Sequence, residues 1–236
     1  MSITKITALC CMLFLSLSAD TKRYEVESGE IEYVIKGGGN MMGMKSSTEG
    51  KKTVVFEKWG NHEVSESYEK NTNGFGAPEE THELTQFKNG KVASVDFEEK
   101  VIYIHDLMQK SYQGSNENYT QFGRDMLEQN GGKRVGSEKI LGYNCEVWEW
   151  MGAKIWVYKG VTLKVTTNMM GMTHTEVATK ARFNKKIPSS RFALPKYPTK
   201  KVEDVYNDAM EAEDMSEEEK QQAREMMQNL GGMFNR

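Results

Sequence analysis

The sequence predicts a mainly β (α+β) fold, an antiparallel curved sheet with a short inserted helix and C-terminal helices. Three observations predict it. Short runs of strand-like residues are joined by tight-turn dipeptides, of which Asn89-Gly90 is the strongest hairpin signal. Some of these runs alternate apolar and polar residues while others are apolar on both sides, which suits a bent sheet packed on one face and partly on the other. Helical spacing appears only in one stretch near residue 120 and again after residue 200.

The chain opens "MSITKITALCCMLFLSLSAD". One Lys, an apolar run from Ile6 to Leu17 and small residues before Ala19 make the layout of a cleaved secretory signal, with cleavage expected after Ala19. The run is too short for a stable membrane anchor. The doublet Cys10-Cys11 also fits a lipidation site, but the apolar run before it is very short and continues past it. Three segments follow from this reading: a signal peptide at 1–19, a β domain at 20–200, and a charged, Met-rich helical segment at 201–236. The mature chain is expected to be exported, specifically periplasmic, without a later membrane-spanning segment.

Charge narrows the partners. The formal net charge is −3, with no basic tract, so nucleic acid is not expected as a partner. Cys145 would be the one cysteine left after cleavage. A single thiol makes no internal disulfide, and a buried, inert side chain is expected there.

From residue 24 to 104 the strands come in quick succession. "YVIK" ends in Gly37, Gly38 and Gly39. "KKTVVFEKWGNHEVSESYE" places two strands around a hairpin tip at Gly60-Asn61. "HELTQFKNGKVASVDF" places two more around Asn89-Gly90, and "KVIYIHD" is another. An antiparallel meander is expected rather than βαβ units. In "SNENYTQFGRDMLEQNGG" Tyr119, Phe122 and Met126 share a helical face, with Asn116 or Asn118 as cap and Gly131 as stop. Strands then resume, punctuated by Gly142, Gly152 and Gly160.

The later strands carry the aromatic residues. In "VTLKVTT" Val161, Leu163 and Val165 face one way and Thr162, Lys164 and Thr166 the other. In "IWVY" both sides are apolar. In "CEVWEW" Trp148 and Trp150 lie opposite Cys145 and Val147. After "IPSSRFALPKYPTKK" the pattern turns helical. Val202, Val205, Tyr206, Ala209 and Met210 form one stripe, and Ser216 with Glu219 makes a capping box for a second helix. Those residues would form a solvated helical hairpin on the sheet or a partly disordered tail, or else act as a lid or hold a protein partner.

No reactive constellation is visible. The chain has no Gly-x-Ser-x-Gly elbow, phosphate loop, His-Glu-x-x-His or Cys-x-x-Cys. The histidines His62, His82, His105 and His174 fall on separate predicted strands, and adjacent His105 and Asp106 would point to opposite faces. A non-enzymatic protein without a cofactor is expected.

The pentapeptide "NMMGM" occurs twice, at 40–44 and 168–172. Thioether sulfur suits Cu(I) or Ag(I), so Met42, Met44, Met170, Met172 and His174 form an alternative soft-metal set. Methionine is also the flexible lining of an adaptable apolar surface, and the 16 Met of this chain are spread into the C-terminal helices as well.

Four pieces in order, "EGKKTVVFEKWGNHEVSES", "LGYNCEVWEW", "KIWVYKGVTLK" and "FALPKYP", resemble a bacterial exported domain family of unknown function. That family is thought to share the fold of the periplasmic lipoprotein carriers and receptors (LolA/LolB-like). The resemblance covers roughly residues 24 to 200. It implies an antiparallel sheet curled into an incomplete barrel, closed by helices over an apolar cavity. The carriers rely on an arginine and lid helices; Arg124, on the expected short helix, is the candidate here and is equally readable as a surface charge.

The leading functional expectation is therefore binding of an apolar or amphipathic ligand, such as a lipid, acyl chain or lipidated peptide. The expected lining is Tyr33, Met42, Met44, Phe56, Trp148, Trp150, Trp156, Tyr158, Met170 and Met172. Taken singly, each reads first as an ordinary core residue.

Overall fold

A computed structural model of the protein describes residues 22–41, 44–72, 77–106, 119–169, 171–202 and 204. Among them run β1 (Gly29–Met41), β2 (Met44–Glu57), β3 (His62–Thr72), β4 (Glu79–Lys88), β5 (Lys91–Asp96) and β6 (Val101–Asp106). The helix α1 (Tyr119–Gln129) follows, then β7 (Lys133–Ile140), β8 (Tyr143–Trp150), β9 (Ala153–Tyr158), β10 (Val161–Met169), β11 (Met172–Phe183) and β12 (Thr199–Lys201). All strands join one sheet in the order β12-β6-β5-β4-β3-β2-β1-β11-β10-β9-β8-β7. Its two edges, β12 and β7, do not pair, so the curved sheet is an open, incomplete barrel.

Turn chemistry sets the meander. Asn89-Gly90, Leu141-Gly142, Met151-Gly152 and Lys159-Gly160 all have positive φ at both residues. That is the two-residue hairpin loop whose twist matches its strands, and glycine at its second position removes the Cβ penalty. The expected tip at Gly60-Asn61 lies slightly earlier. A 3₁₀ turn covers Lys58–Gly60, where Lys58, Trp59 and Gly60 have φ of 55°, 54° and 86°, and Asn61 returns to the right-handed region.

The glycine run also differs from expectation. β1 does not end at Gly37 but continues through the glycines to Met41, and the polar "KSSTEGK" is the start of β2. Met41 pairs with Met44 and Met169 pairs with Met172. Each copy of "NMMGM" thus pairs its second residue with its fifth, and the two copies are neighbours, because Gly39 on β1 pairs with Met172 on β11. A Cβ on Gly39 would collide with the carbonyl oxygen of Gly171. Small residues let these two copies approach.

Alternation on β2 divides the core. Val54 and Phe56 join a cluster with Ile31, Tyr33, Trp156, Leu163 and Ala178, while Val55 joins Val64, Leu84, Val95, Ile102 and Phe192 on the opposite face. A strap after β11 covers the second cluster. Gln86 donates to the Phe192 carbonyl at 2.8 Å, and Arg191 pairs with Glu30 at 2.8 Å. The strap then places β12 parallel to β6, which departs from the purely antiparallel meander. Register shifts between Glu32 and Tyr33, between Thr162 and Lys164, and between Arg134 and Gly136 add twist.

The expected inserted helix is α1. Its end is a Schellman motif: Gly132 N–H donates to Leu127 O at 2.6 Å, Gly131 N–H to Glu128 O at 3.0 Å, and Gly131 has φ +85°. The side chains of Tyr119, Phe122 and Met126 lie outside the description. So do the expected signal segment, the expected caps Asn116 and Asn118, and nearly all of 201–236 with its expected helices. Among the described residues no helix is long and apolar enough to cross a membrane.

Candidate functional site

Cross-strand register builds the site, because directly paired residues share a face of the sheet. The relevant side is the one that carries α1. Arg124 donates to both carboxylate oxygens of Glu146, at 2.9 and 3.1 Å, and the Trp150 indole donates to the Asn130 carbonyl at 2.9 Å. Glu146, Trp148 and Trp150 alternate along β8 and so share that side.

Two neighbouring rows run across the sheet from there. One begins Trp148, Ile155, Val165, then continues through Glu176, Ile35 and Gly50 to Glu69. The other begins Trp150, Ala153, Thr167, then continues through His174, Gly37 and Thr48 to Asn71. Both rows pass from an apolar end near α1 to a polar end on β11, β2 and β3. An open cleft of about 450 Å³ lies around the Met151-Gly152 turn, lined by Trp150, Met151 and Ala153 together with polar residues that include Glu149, Lys154, Thr166 and Thr175 of the neighbouring row on the other face.

The polar end centres on Lys52, which donates to both oxygens of Glu176 at 3.0 and 3.2 Å. Both side chains are largely withdrawn from solvent, at 15% and 11% exposure, so the pair is an interior one. Beside it, burial first, and then the charges of Glu83 and Glu176, push the Glu69 carboxyl above its usual range, with Lys52 partly opposing. Burial lowers the His174 imidazole; Glu176 opposes that shift and Lys52 adds to it. Thr48 donates to Asn71 Oδ1 at 2.7 Å. Asn71 is 9% exposed, and its Nδ2 has no hydrogen-bond partner.

The expected lining residues separate into groups. Trp148 and Trp150 share the α1 side; Trp148 is buried at 2% exposure and Trp150 is half-buried on the cleft. Tyr33, Phe56 and Trp156 are buried in the first core cluster, and Tyr158 packs against it. There Tyr158 meets Tyr143 at 4.9 Å and Phe183 at 5.3 Å between ring centroids. Met172 is half-buried and its sulfur accepts from the Ser46 hydroxyl at 3.4 Å. Met42 and Met170, and the side chain of Met44, lie outside the description.

His174 and Met172, the described members of the alternative metal set, are two apart on β11 and face β1 glycines, Gly37 and Gly39. Among the described residues no group of three or more His, Cys, Asp or Glu side chains converges as a metal site. Cys145 is fully buried, its thiol pushed up by burial, and it forms no disulfide.

Sequence reasoning missed the polar end. Lys52, Glu69, Asn71 and Glu176 sit in strands whose charges look like a solvated face. One signal was present: Lys52 is in phase with Val54 and Phe56, so a strand that buries those two also turns Lys52 inward.

No family model matches the chain, and no curated protein does. Solved structures are similar to it. An uncharacterized conserved protein from Thermus thermophilus superposes with a TM-score of 0.45 at 7% identity, over 83% of this chain and 99% of that one. A putative outer membrane lipoprotein-sorting protein domain from Vibrio parahaemolyticus gives 0.24 at 12% identity, over 72% and 91%. LprF from Mycobacterium bovis gives 0.30 at 8% identity, over 75% and 93%. The sorting-type fold that the sequence resembles is among these similarities. The superpositions are partial and say nothing of a ligand, so the functional reading rests on the site.

Proposed function

We propose that the protein is an exported, non-enzymatic binding protein for an amphipathic ligand: a lipid, an acyl chain or a lipidated peptide. One observation carries this reading. Strand register links Trp148, Ile155 and Val165 in one row to Glu176, which Lys52 holds in an interior ion pair. Such a surface matches a molecule with an apolar length and a polar end.

Burying about 500 Å² of acyl-chain surface is worth about 12 kcal/mol before the costs of binding, which leaves room for micromolar affinity. Trp150 and Met151 at the cleft supply adaptable apolar area at its rim. Reaction chemistry finds less support. Both oxygens of the Glu176 carboxylate are engaged by Lys52, so the most buried described carboxylate on this side already has its partner. Export is read from the N-terminal signal.

Native mass spectrometry of protein purified without detergent tests the proposal, together with uptake of a fluorescent fatty acid. A bound lipid-like mass, or saturable uptake, is expected. A ligand-free mass with no uptake would overturn it.

A further inference from the structure

The polar end of the site has a chemistry of its own. Ser67 on β3 pairs with both Lys52 and Glu83, which places Glu83 one row from Glu69 on the same side. Among the described residues three carboxylates, Glu69, Glu83 and Glu176, therefore face one ammonium, Lys52, whose Nζ donates to both oxygens of Glu176. Glu69 and Glu83 have no ion-pair partner among the described residues. Burial lowers the His174 imidazole, which disfavours its cationic form.

A second observation is independent of that imbalance. Asn71 is two residues from Glu69, so both side chains leave the same face. Its Oδ1 is satisfied by Thr48, yet its Nδ2 is buried without an acceptor. A buried donor left unpaired is costly, and native interiors rarely keep one unless something else fills the role. The site thus offers an unused donor beside excess negative charge.

We infer that this end takes an ammonium-bearing head group, with the amine near Glu69 and Glu83 and a neighbouring oxygen accepting from Asn71. The ligand class is an amphiphile with a primary amine next to an oxygen function. This rests on the amphipathic-ligand reading above and narrows it. A carboxylate head would meet like charges and find Lys52 already occupied; an ammonium relieves the crowding of Glu69 by Glu83 and Glu176.

Displacement of the neutral apolar fluorophore N-phenyl-1-naphthylamine from the full chain tests it, using dodecylammonium, dodecanol and dodecanoate below their micelle concentrations. Dodecylammonium is expected to displace at a concentration about tenfold lower than dodecanoate, the range of a charge-assisted hydrogen bond. In Glu69→Gln/Glu83→Gln that preference should shrink to about twofold, with dodecanol unchanged. Circular dichroism checks the variant's fold, and the single exposed-site change Glu83→Gln should halve the preference if the double variant does not fold. Equal displacement by all three chains, or a preference that survives Glu69→Gln/Glu83→Gln, would overturn the head-group assignment and leave the amphipathic site standing. No binding of the fluorophore would overturn both.

Discussion

Lys52 on β2 reaches diagonally across β1 to hold both carboxylate oxygens of Glu176 on β11, at 3.0 and 3.2 Å. The pair joins strands more than a hundred residues apart in sequence. Taking away one partner leaves the other charge buried. Lys52→Met should therefore cost about 3 kcal/mol in urea denaturation, and Lys52→Met/Glu176→Leu should regain most of it. Equal destabilisation by the single and double changes would show that packing, not charge, is what the pair provides.

Glu69 should give stability an unusual pH slope. Its carboxyl is raised in the fold, chiefly by burial, above the ordinary 4.5. Below that value both folded and unfolded chains hold the proton. As pH rises past it the unfolded chain ionises first, so this residue's contribution falls until the folded carboxyl has ionised too. Glu69→Gln should accordingly match the wild type in acid and exceed it near neutral pH. Thermal melts across the range check this; a variant weaker at neutral pH than in acid would contradict it.

The bidentate Arg124–Glu146 contact ties α1 to β8, with Glu25 a further 3.7 Å partner of Arg124. Both groups are about a quarter exposed, so solvent screens part of the attraction. Arg124→Ala should cost only about 1 kcal/mol overall. Its local effect should be larger, with amide exchange accelerated over residues 119–129 and little changed in β1 and β2. Uniform acceleration across the sheet would count against a tether role.

Gly39 and Gly171 hold the two methionine-bearing segments together. Gly39→Ala would drive its Cβ into the Gly171 carbonyl, a backbone atom that cannot swing aside. A loss of about 2 kcal/mol is expected, with exchange rising at residues 168–173 as well as near the mutation. A change of Gly142, where a Cβ meets nothing within 4 Å but φ is +84°, isolates the backbone cost alone. It should weaken the protein less, by about 1 kcal/mol.

Much of this architecture is legible in the chain because its signals are local. Asn89-Gly90 announces its hairpin and Gly131 stops its helix, whereas the register shift between Thr162 and Lys164 breaks the alternation read from "VTLKVTT", so that Val161 pairs with Tyr158 and Val165 with Ile155. What is not legible depends on partners far away. Nothing near Gly37–Gly39 says that β11 lies alongside, and glycines ordinarily weaken a strand, so β1 reads as ending early. Nothing within the repeated "NMMGM" says that its two copies lie side by side, because that depends on the pairing of Gly39 with Met172. Lys52 and Glu176 each look like surface charges, since neither carries a mark of the other. The strap over Val55 and Val64 reads as a linker because its anchors, Ile187, Phe192 and Tyr197, are too sparse for any period.

The claim on which the account depends is that an apolar chain lies along the Trp148–Trp150 end of the α1-bearing side. Quenching by a brominated alkyl chain tests it most directly, since bromine silences only an indole that it closely approaches. Titrating the wild type with 12-bromododecylamine should give a saturable fall in tryptophan emission, and Trp150→Phe should remove most of that fall while Trp59→Phe leaves it. A response that never saturates, or one that Trp150→Phe leaves intact, would contradict the account.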